Sequence, residues 1–466
     1  MLILTAAIAV VGAACGASGD GGSPSDEEGA TTTSAAVSAD DANFGDLEAP
    51  CGPGELTVAP AEAGTGTDKL YIGVGNDRTS DLRPGLQRTI WDSSLAFAEW
   101  CNAHGGIGGL EIEVVDLPAA VVAVEAAMNA ACTDVFAMVG GGMAQDDLQF
   151  SGNPDSDFHE CGLIDIPAYA VSTAKAESNG QVLPIPNPSR TTGNTWFRDF
   201  QQLFPEDAEA WSVVYGDIPS LEVPKLKYEA IARDVGIPQV GAVPFPVIGT
   251  SDWEPIARRV LDEDPTTFTW VGETGDLTNV LTAMRQQGWT GRPLLEAAAY
   301  DPILFDSGED PVEGAVIRLF SHPLEEADLW PGTKKYVELM ERYQPEGMQS
   351  LLGTNSMSAW LLFVTAANTC GERAGGVLTR ACIIEEAAAV EDWTGGGLHG
   401  PTDPQEGPDA VASPCSMLLI VAEGSFERLH PDIDGERDDV DGFHCADDGI
   451  TEVTDGVGEG VVDPTR

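Results

Sequence analysis

Residues 69–116 read KLYIGVGNDRTSDLRPGLQRTIWDSSLAFAEWCNAHGGIGGLEIEVVD. Tyr71, Ile72 and Val74 make an apolar strand that runs into a polar loop, Asn76 to Pro84. Ile90, Leu95, Phe97, Ala98 and Trp100 then form an apolar stripe at helical spacing, which predicts a helix of about twenty residues. His104-Gly105-Gly106 ends that helix, since glycine takes the left-handed cap, and Gly108-Gly109 turns the chain into a second strand, Leu110 to Val115. Two parallel strands bridged by a helix result.

The alternation continues outward from this unit. A helix over Ala119 to Ala131 precedes strand Val135 to Val139, then Gly140-Gly141-Gly142, a helix to Glu160 and strand Leu163 to Ile166. A proline-rich crossing, Leu183 to Ser189, is the best hinge candidate, and a second series of strands and helices runs from Trp211 to Glu296. Two such halves are what a bilobed α/β protein requires. Strand Gly314 to Leu319 leads to helices over 332–343, 354–369 and 377–390, and a hairpin over Ser416 to Leu429 follows.

The phrase NAHGGIGGLEIEVV at 102–115, with its strand, polar loop and long helix, resembles the opening of the branched-chain amino acid binding family, the substrate-binding proteins of ABC importers. The likeness runs over about 69–430 through phrase order and element spacing. It implies a two-lobed periplasmic-binding-protein type I fold in which each lobe is a mainly parallel sheet with helices on both faces and the hinge is crossed three times. Lobe 1 would comprise 69–190 and 322–395, lobe 2 191–320 and 396–430, with 431–466 an irregular acidic tail. The implied function is capture of a small polar solute, amino-acid-like or amide-like, by a monomer that hands it to an ABC transporter permease. A ligand-sensing domain and, less favoured, a secreted enzyme are the alternatives.

Composition fits an exported protein. The 23 basic and 76 acidic residues give a formal net charge of −53, which excludes nucleic acid as a partner because phosphate binding needs clustered Lys and Arg. The excess is spread along the chain and suggests saline surroundings. Residues 1–15 read as a signal peptide whose Gly-Ala-Ala-Cys ending resembles a lipobox, making Cys15 the lipid-anchored residue; removal or pairing of Cys15 in an ordinary secreted protein is the other reading. Residues 16–48 have the composition of a disordered tether.

Without Cys15, eight of the nine cysteines remain, an even number in an exported chain. The strand-helix-strand topology would set Cys101 beside Cys132. Cys370 and Cys382 flank a turn, Cys415 and Cys445 bracket the hairpin, and elimination pairs Cys51 with Cys161.

Catalytic patterns fail. Gly73-Val74-Gly75 begins like a dinucleotide fingerprint, but Arg78 stands where its third glycine belongs. No cofactor or metal is expected; Asp432, Asp434, Asp439 and Asp441 lack the glycine spacing of a calcium loop. Polar loops at strand C-termini are present instead, where open parallel sheets put ligands. On the first lobe these offer Asn76, Ala144, Gln145, Ser172 and Thr173. On the second lobe the phrase WVGETGDLTNVLTAMRQQGW resembles the family's strand-loop-helix in which an acidic residue receives the ligand ammonium, here Asp276; a plain helix cap is the competing role. Tyr215, Asp217, Glu273 and Tyr300 complete the candidate rim. Gly141, Gly142, Met143 and Ala144 replace the family's serine-rich carboxylate loop, which puts an α-amino acid ligand in doubt.

Overall fold

The computed structural model describes residues 39–464 apart from 82, 148–151, 248, 455, 459 and 461. The expected signal peptide, Cys15 and most of the expected tether lie outside the described residues.

Two separate sheets organise the chain. The first has four parallel strands in the spatial order Ile112–Pro118, Leu70–Asn76, Ala137–Val139 and Asp165–Ile166. Strand Leu70–Asn76 is covered on both faces, so it carries consecutive apolar and glycine residues rather than an alternation. Helix Arg88–Ala103 buries Ile90, Phe97 and Trp100 and packs on the long helix Leu351–Arg373, where the Phe97 and Trp360 rings stack at 5.2 Å. At the end of the first helix, Gly106 has φ 76°, and a Cβ there would lie 2.1 Å from the Leu110 carbonyl oxygen. Glycine is what lets the chain fold back onto its second strand at this point.

The second sheet runs from Gln239–Phe245 through Trp211–Gly216, Thr267–Val271 and Arg292–Leu295 to Val316–Leu319, all parallel. An antiparallel hairpin, Cys415–Ala422 and Ser425–His430, is added at its edge. Phe245 stacks on Trp270 at 4.4 Å within the core between this sheet and helices Glu254–Leu261 and Thr274–Gln286. The chain leaves the first sheet after Ile166, builds the second, returns with helices Pro331–Tyr343 and Leu351–Arg373, and rejoins the second sheet at Cys415. This is the expected two-lobed type I topology with its three crossings.

Four features differ from expectation. The helix placed before Glu160 is, among the described residues, only Asp157–Glu160. Residues 41–47 are held against the first lobe rather than tethering: Phe44 is fully buried against Trp100, and Asp41 accepts from Lys335 and Arg342. The C-terminal segment is not irregular. His444–Cys445 pairs with Cys415–Ser416, and Ile450–Glu452 pairs with the hinge strand Thr191–Gly193, whose backbone has no other strand partner among the described residues. The segment then reaches the first lobe, where the Val457 carbonyl accepts from Thr173 at 2.6 Å and Asp463 exchanges backbone hydrogen bonds with the Asn179 side chain.

The cysteine pairing is the fourth difference. Cys370–Cys382 and Cys415–Cys445 form as expected, but the others are Cys51–Cys101 and Cys132–Cys161 in place of Cys101–Cys132 and Cys51–Cys161. Gly52 exchanges hydrogen bonds with Gly106 and Gly109, which fixes the segment before the first strand over the end of helix Arg88–Ala103 and brings Cys51 to Cys101. Helix Val124–Asp134 ends instead against Asp157–Glu160, the neighbour that carries Cys161.

Candidate functional site

A cavity of about 740 Å³ lies between the lobes. The first lobe contributes the loop Arg83–Thr89, Ala144 and Gln145, the segment Ala168–Val171 and one face of helix Leu351–Arg373; the second contributes the ends of its strands and the start of helix Pro219–Val235. The walls are mostly apolar, among them Leu183, Ile185, Ile218, Leu221, Phe245 and Trp270.

On the first-lobe side the wall is fastened from behind. Asp77 is buried; its carboxylate accepts from the backbone N–H of Ala144 at 2.6 Å and of Val121, and burial raises its pKa. Asp146 holds Val171 N at 2.8 Å and Ser172 N at 3.0 Å in the same way. Tyr169 reaches the cavity across Gly142, where a Cβ would lie 2.1 Å from its ring. Burial, with the negative charges of Asp77, Asp146 and Glu273, pushes the Tyr169 phenol well above its ordinary pKa, so it stays a neutral hydroxyl. Gln87 has the left-handed φ of 59°, which is strained for a non-glycine residue and lies at the cavity edge.

Across the cavity, Glu273 precedes helix Thr274–Gln286 and faces the space with no hydrogen bond to its carboxyl from another described residue. Burial pushes its pKa up to about 7, against the opposing pull of Arg83. Two buried polar atoms on lining residues also lack a partner among the described residues: Asn355 Oδ1 and Arg318 Nε. Leaving such atoms unpaired is costly.

Of the residues expected from the sequence, Ala144, Gln145 and Glu273 line this cavity. Asp276 does not. It sits in the first turn of its helix, nearly buried, and its carboxylate is engaged by Arg83 of the opposite lobe, with Nη1 to Oδ1 at 3.2 Å and Nη2 also on Oδ2. The same guanidinium donates to the Val247 carbonyl at 2.8 Å. Ser172, Thr173 and Asp217 line a separate cleft of about 520 Å³ beside Gly456–Gly458. There Ser172 caps a short helix and Thr173 holds the C-terminal segment. Asn76 braces its own strand end, donating to Val74 O at 3.1 Å and Asp116 at 2.9 Å. Tyr215 lies under the Lys225 ammonium, and Tyr300 is buried, donating to Glu325 at 2.6 Å.

Arg83, Tyr169, Lys227, Arg318 and Asn355 are polar residues of the cavity lining that sequence reasoning missed. Arg318 carried a signal, a cation inside the apolar run Val316 to Leu319. Lys227 carried none, since a lysine in a polar helix reads as solvated. Asp199, His430 and His444 lie close enough to share a metal ion, all within 4.8 Å, but they sit outside the cavity. His444 is already satisfied there, donating from Nδ1 to Asp199 at 2.8 Å and accepting at Nε2 from Arg437 at 3.1 Å.

No curated protein matches the chain. Solved structures share its fold. A leucine-binding protein from Thermotoga maritima superposes with TM-score 0.61 at 18% identity, covering 78% of this chain and 98% of its own. A fatty acid ABC transporter substrate-binding protein from Thermomonospora curvata gives 0.65 at 18% identity, covering 83% and 97%. A branched-chain amino acid ABC transporter protein from Thermus thermophilus with bound valine gives 0.63 at 15%, covering 79% and 96%. The family profile described as periplasmic binding protein matches residues 69–423, both lobes together, and the chain belongs to that family.

Proposed function

We propose that this protein is the extracytoplasmic receptor of an ABC importer, taking a small organic solute between its lobes and presenting it to the membrane permease. The observation that carries this reading is the interlobe cavity itself, walled by both lobes, mostly apolar, with the uncommitted carboxyl of Glu273 and the ammonium of Lys227 on its lining. A solute touching both lobes favours the closed state by its differential affinity, which is how the permease would distinguish loaded from empty receptor. The fold relatives named for leucine, fatty acid and valine support a transported solute. The cavity's size and its leucine, isoleucine and aromatic walls favour something larger and less polar than an amide. Cys15 would supply the lipid anchor, and the protein would act as a monomer.

A thermal-shift screen of amino acids, amides, amines and organic acids tests the reading, because a ligand specific for the native state raises the melting temperature by mass action. A panel in which no solute raises it counts against a receptor.

A further inference from the structure

Lys227 is buried at 5% exposure inside helix Pro219–Val235, yet it lines the cavity. Its ammonium donates to Asn187 Oδ1 at 2.5 Å and the Pro188 carbonyl at 2.9 Å, both neutral acceptors. An ammonium has three N–H donors, and no described carboxylate pairs with this one. The charged groups acting on it are Arg318, from strand Val316–Leu319, and Glu296, at the end of strand Arg292–Leu295. Glu296 is already committed, accepting from Arg318 Nη1 at 2.9 Å, while Arg318 Nε is buried without a partner. Two cations against one carboxylate leave this part of the cavity short of one negative charge, and a buried cation without a counter-ion is costly. The lining of the same cavity includes the apolar side chains of Leu183, Ile185, Ile218 and Leu221.

We infer that the ligand is an elongated, largely apolar monocarboxylate whose carboxylate sits on Lys227 and Arg318 and whose hydrocarbon body lies along the apolar walls. The inference rests on the receptor reading above and names its substrate class. An anion here supplies the missing charge and accepts the free N–H of Lys227 by a charge-assisted hydrogen bond, beside the Arg318 charge. Burial and the Arg318 charge push the empty-site Lys227 down to about 7. A bound carboxylate raises it again, so binding at pH 8 takes up close to one proton, and affinity falls as pH rises above 7.

The test is calorimetry on delipidated full-length protein with hexanoate, octanoate and decanoate, and with 1-decanol and leucine as controls. Affinity should tighten about fourfold per added methylene. Decanoate should bind at least tenfold more tightly than decanol, Lys227→Met should remove that preference, and titrations at pH 8 in buffers of different ionisation enthalpy should show proton uptake. Equal affinity for decanoate and decanol, or an unchanged preference in Lys227→Met, overturns the inference. Where that variant fails to fold, the proton count on the wild-type protein decides, and absent uptake overturns it. If leucine or another panel member binds and no carboxylate of the series does, the receptor reading stands and this inference falls. If nothing on the panel binds, both fall.

Discussion

Asp276 and Arg83 make the most informative perturbation, because they join the lobes beside the cavity that Arg83 lines. The Asp276 side chain is 10% exposed and that of Arg83 31%, so the pair lies between a buried and a surface ion pair. A hydrogen bond to a charged group contributes about 1.5–3 kcal/mol net, whereas exposed pairs contribute about 0–1. Two guanidinium donors reach the carboxylate, and a coupling of about 2 kcal/mol is expected, a factor of about 30 in the ratio of closed to open molecules. Asp276→Asn keeps the shape of the side chain and the helix start, Arg83→Gln removes the other partner, and the double variant completes a cycle. The closed fraction of each, from small-angle scattering fitted to two states, gives the coupling. Each single variant should open the protein as far as the double variant does. Effects that add within about 0.5 kcal/mol would refute the latch and return Asp276 to the role of a ligand or capping residue.

Burial pushes the His399 imidazole down to about 4, while it bonds Ser358 Oγ at 2.8 Å and the Gly400 carbonyl oxygen at 2.7 Å. The folded protein thus favours the neutral ring; the contribution is complete above about pH 6.5 and is lost as pH falls towards 4, about 3 kcal/mol in all. Urea midpoints should show this slope and His399→Gln should flatten it; an equal slope in both would exclude His399 as its source. Phe44→Ala should cost about 3–5 kcal/mol in denaturant unfolding, since a fully buried ring is deleted. A cost under 1 kcal/mol would mean that the segment around Phe44 does not pack in solution. Gly142→Ala should displace Tyr169 and weaken solute binding more than it lowers the melting temperature; equal affinity would remove Tyr169 from the site. Peptide mapping without reductant should recover Cys51 with Cys101 and Cys132 with Cys161; recovery of Cys101 with Cys132 would contradict this.

Much of the fold was legible because its signals are local. The apolar stripe of Ile90, Phe97 and Trp100 and the glycines at 105–109 mark a helix and its end whatever else the chain does. The site was less legible because its roles are set by what lies opposite. Asp276 was found by its place at a helix start, but its partner is an arginine 193 residues earlier, and no local pattern reports that pairing. Ser172 and Thr173 look like ligand hydroxyls until Ser172 is seen to cap its own short helix and Thr173 to hold the C-terminal segment. Arg318 could have been suspected as a cation in an apolar strand, whereas Lys227 is recognisable only once its helix is turned towards the cavity. The misassigned cysteines fail similarly: the path of residues 49–56 over Gly106–Gly109 depends on backbone hydrogen bonds that side-chain patterning does not encode.

The C-terminal segment runs from the hinge strand Thr191–Gly193 past Ala230 on the second lobe to Thr173 and Asn179 on the first. It is therefore a fourth connection between halves that three covalent crossings already join, and it differs from them in being detachable. Those crossings define an axis; this one sets a range of travel, because the lobes separate fully only when the Thr173–Val457 and Asn179–Asp463 bonds let go. A two-lobed protein so built has a stop on its swing that can be tuned through residues 457–463, without touching either the hinge or the lining of the cavity.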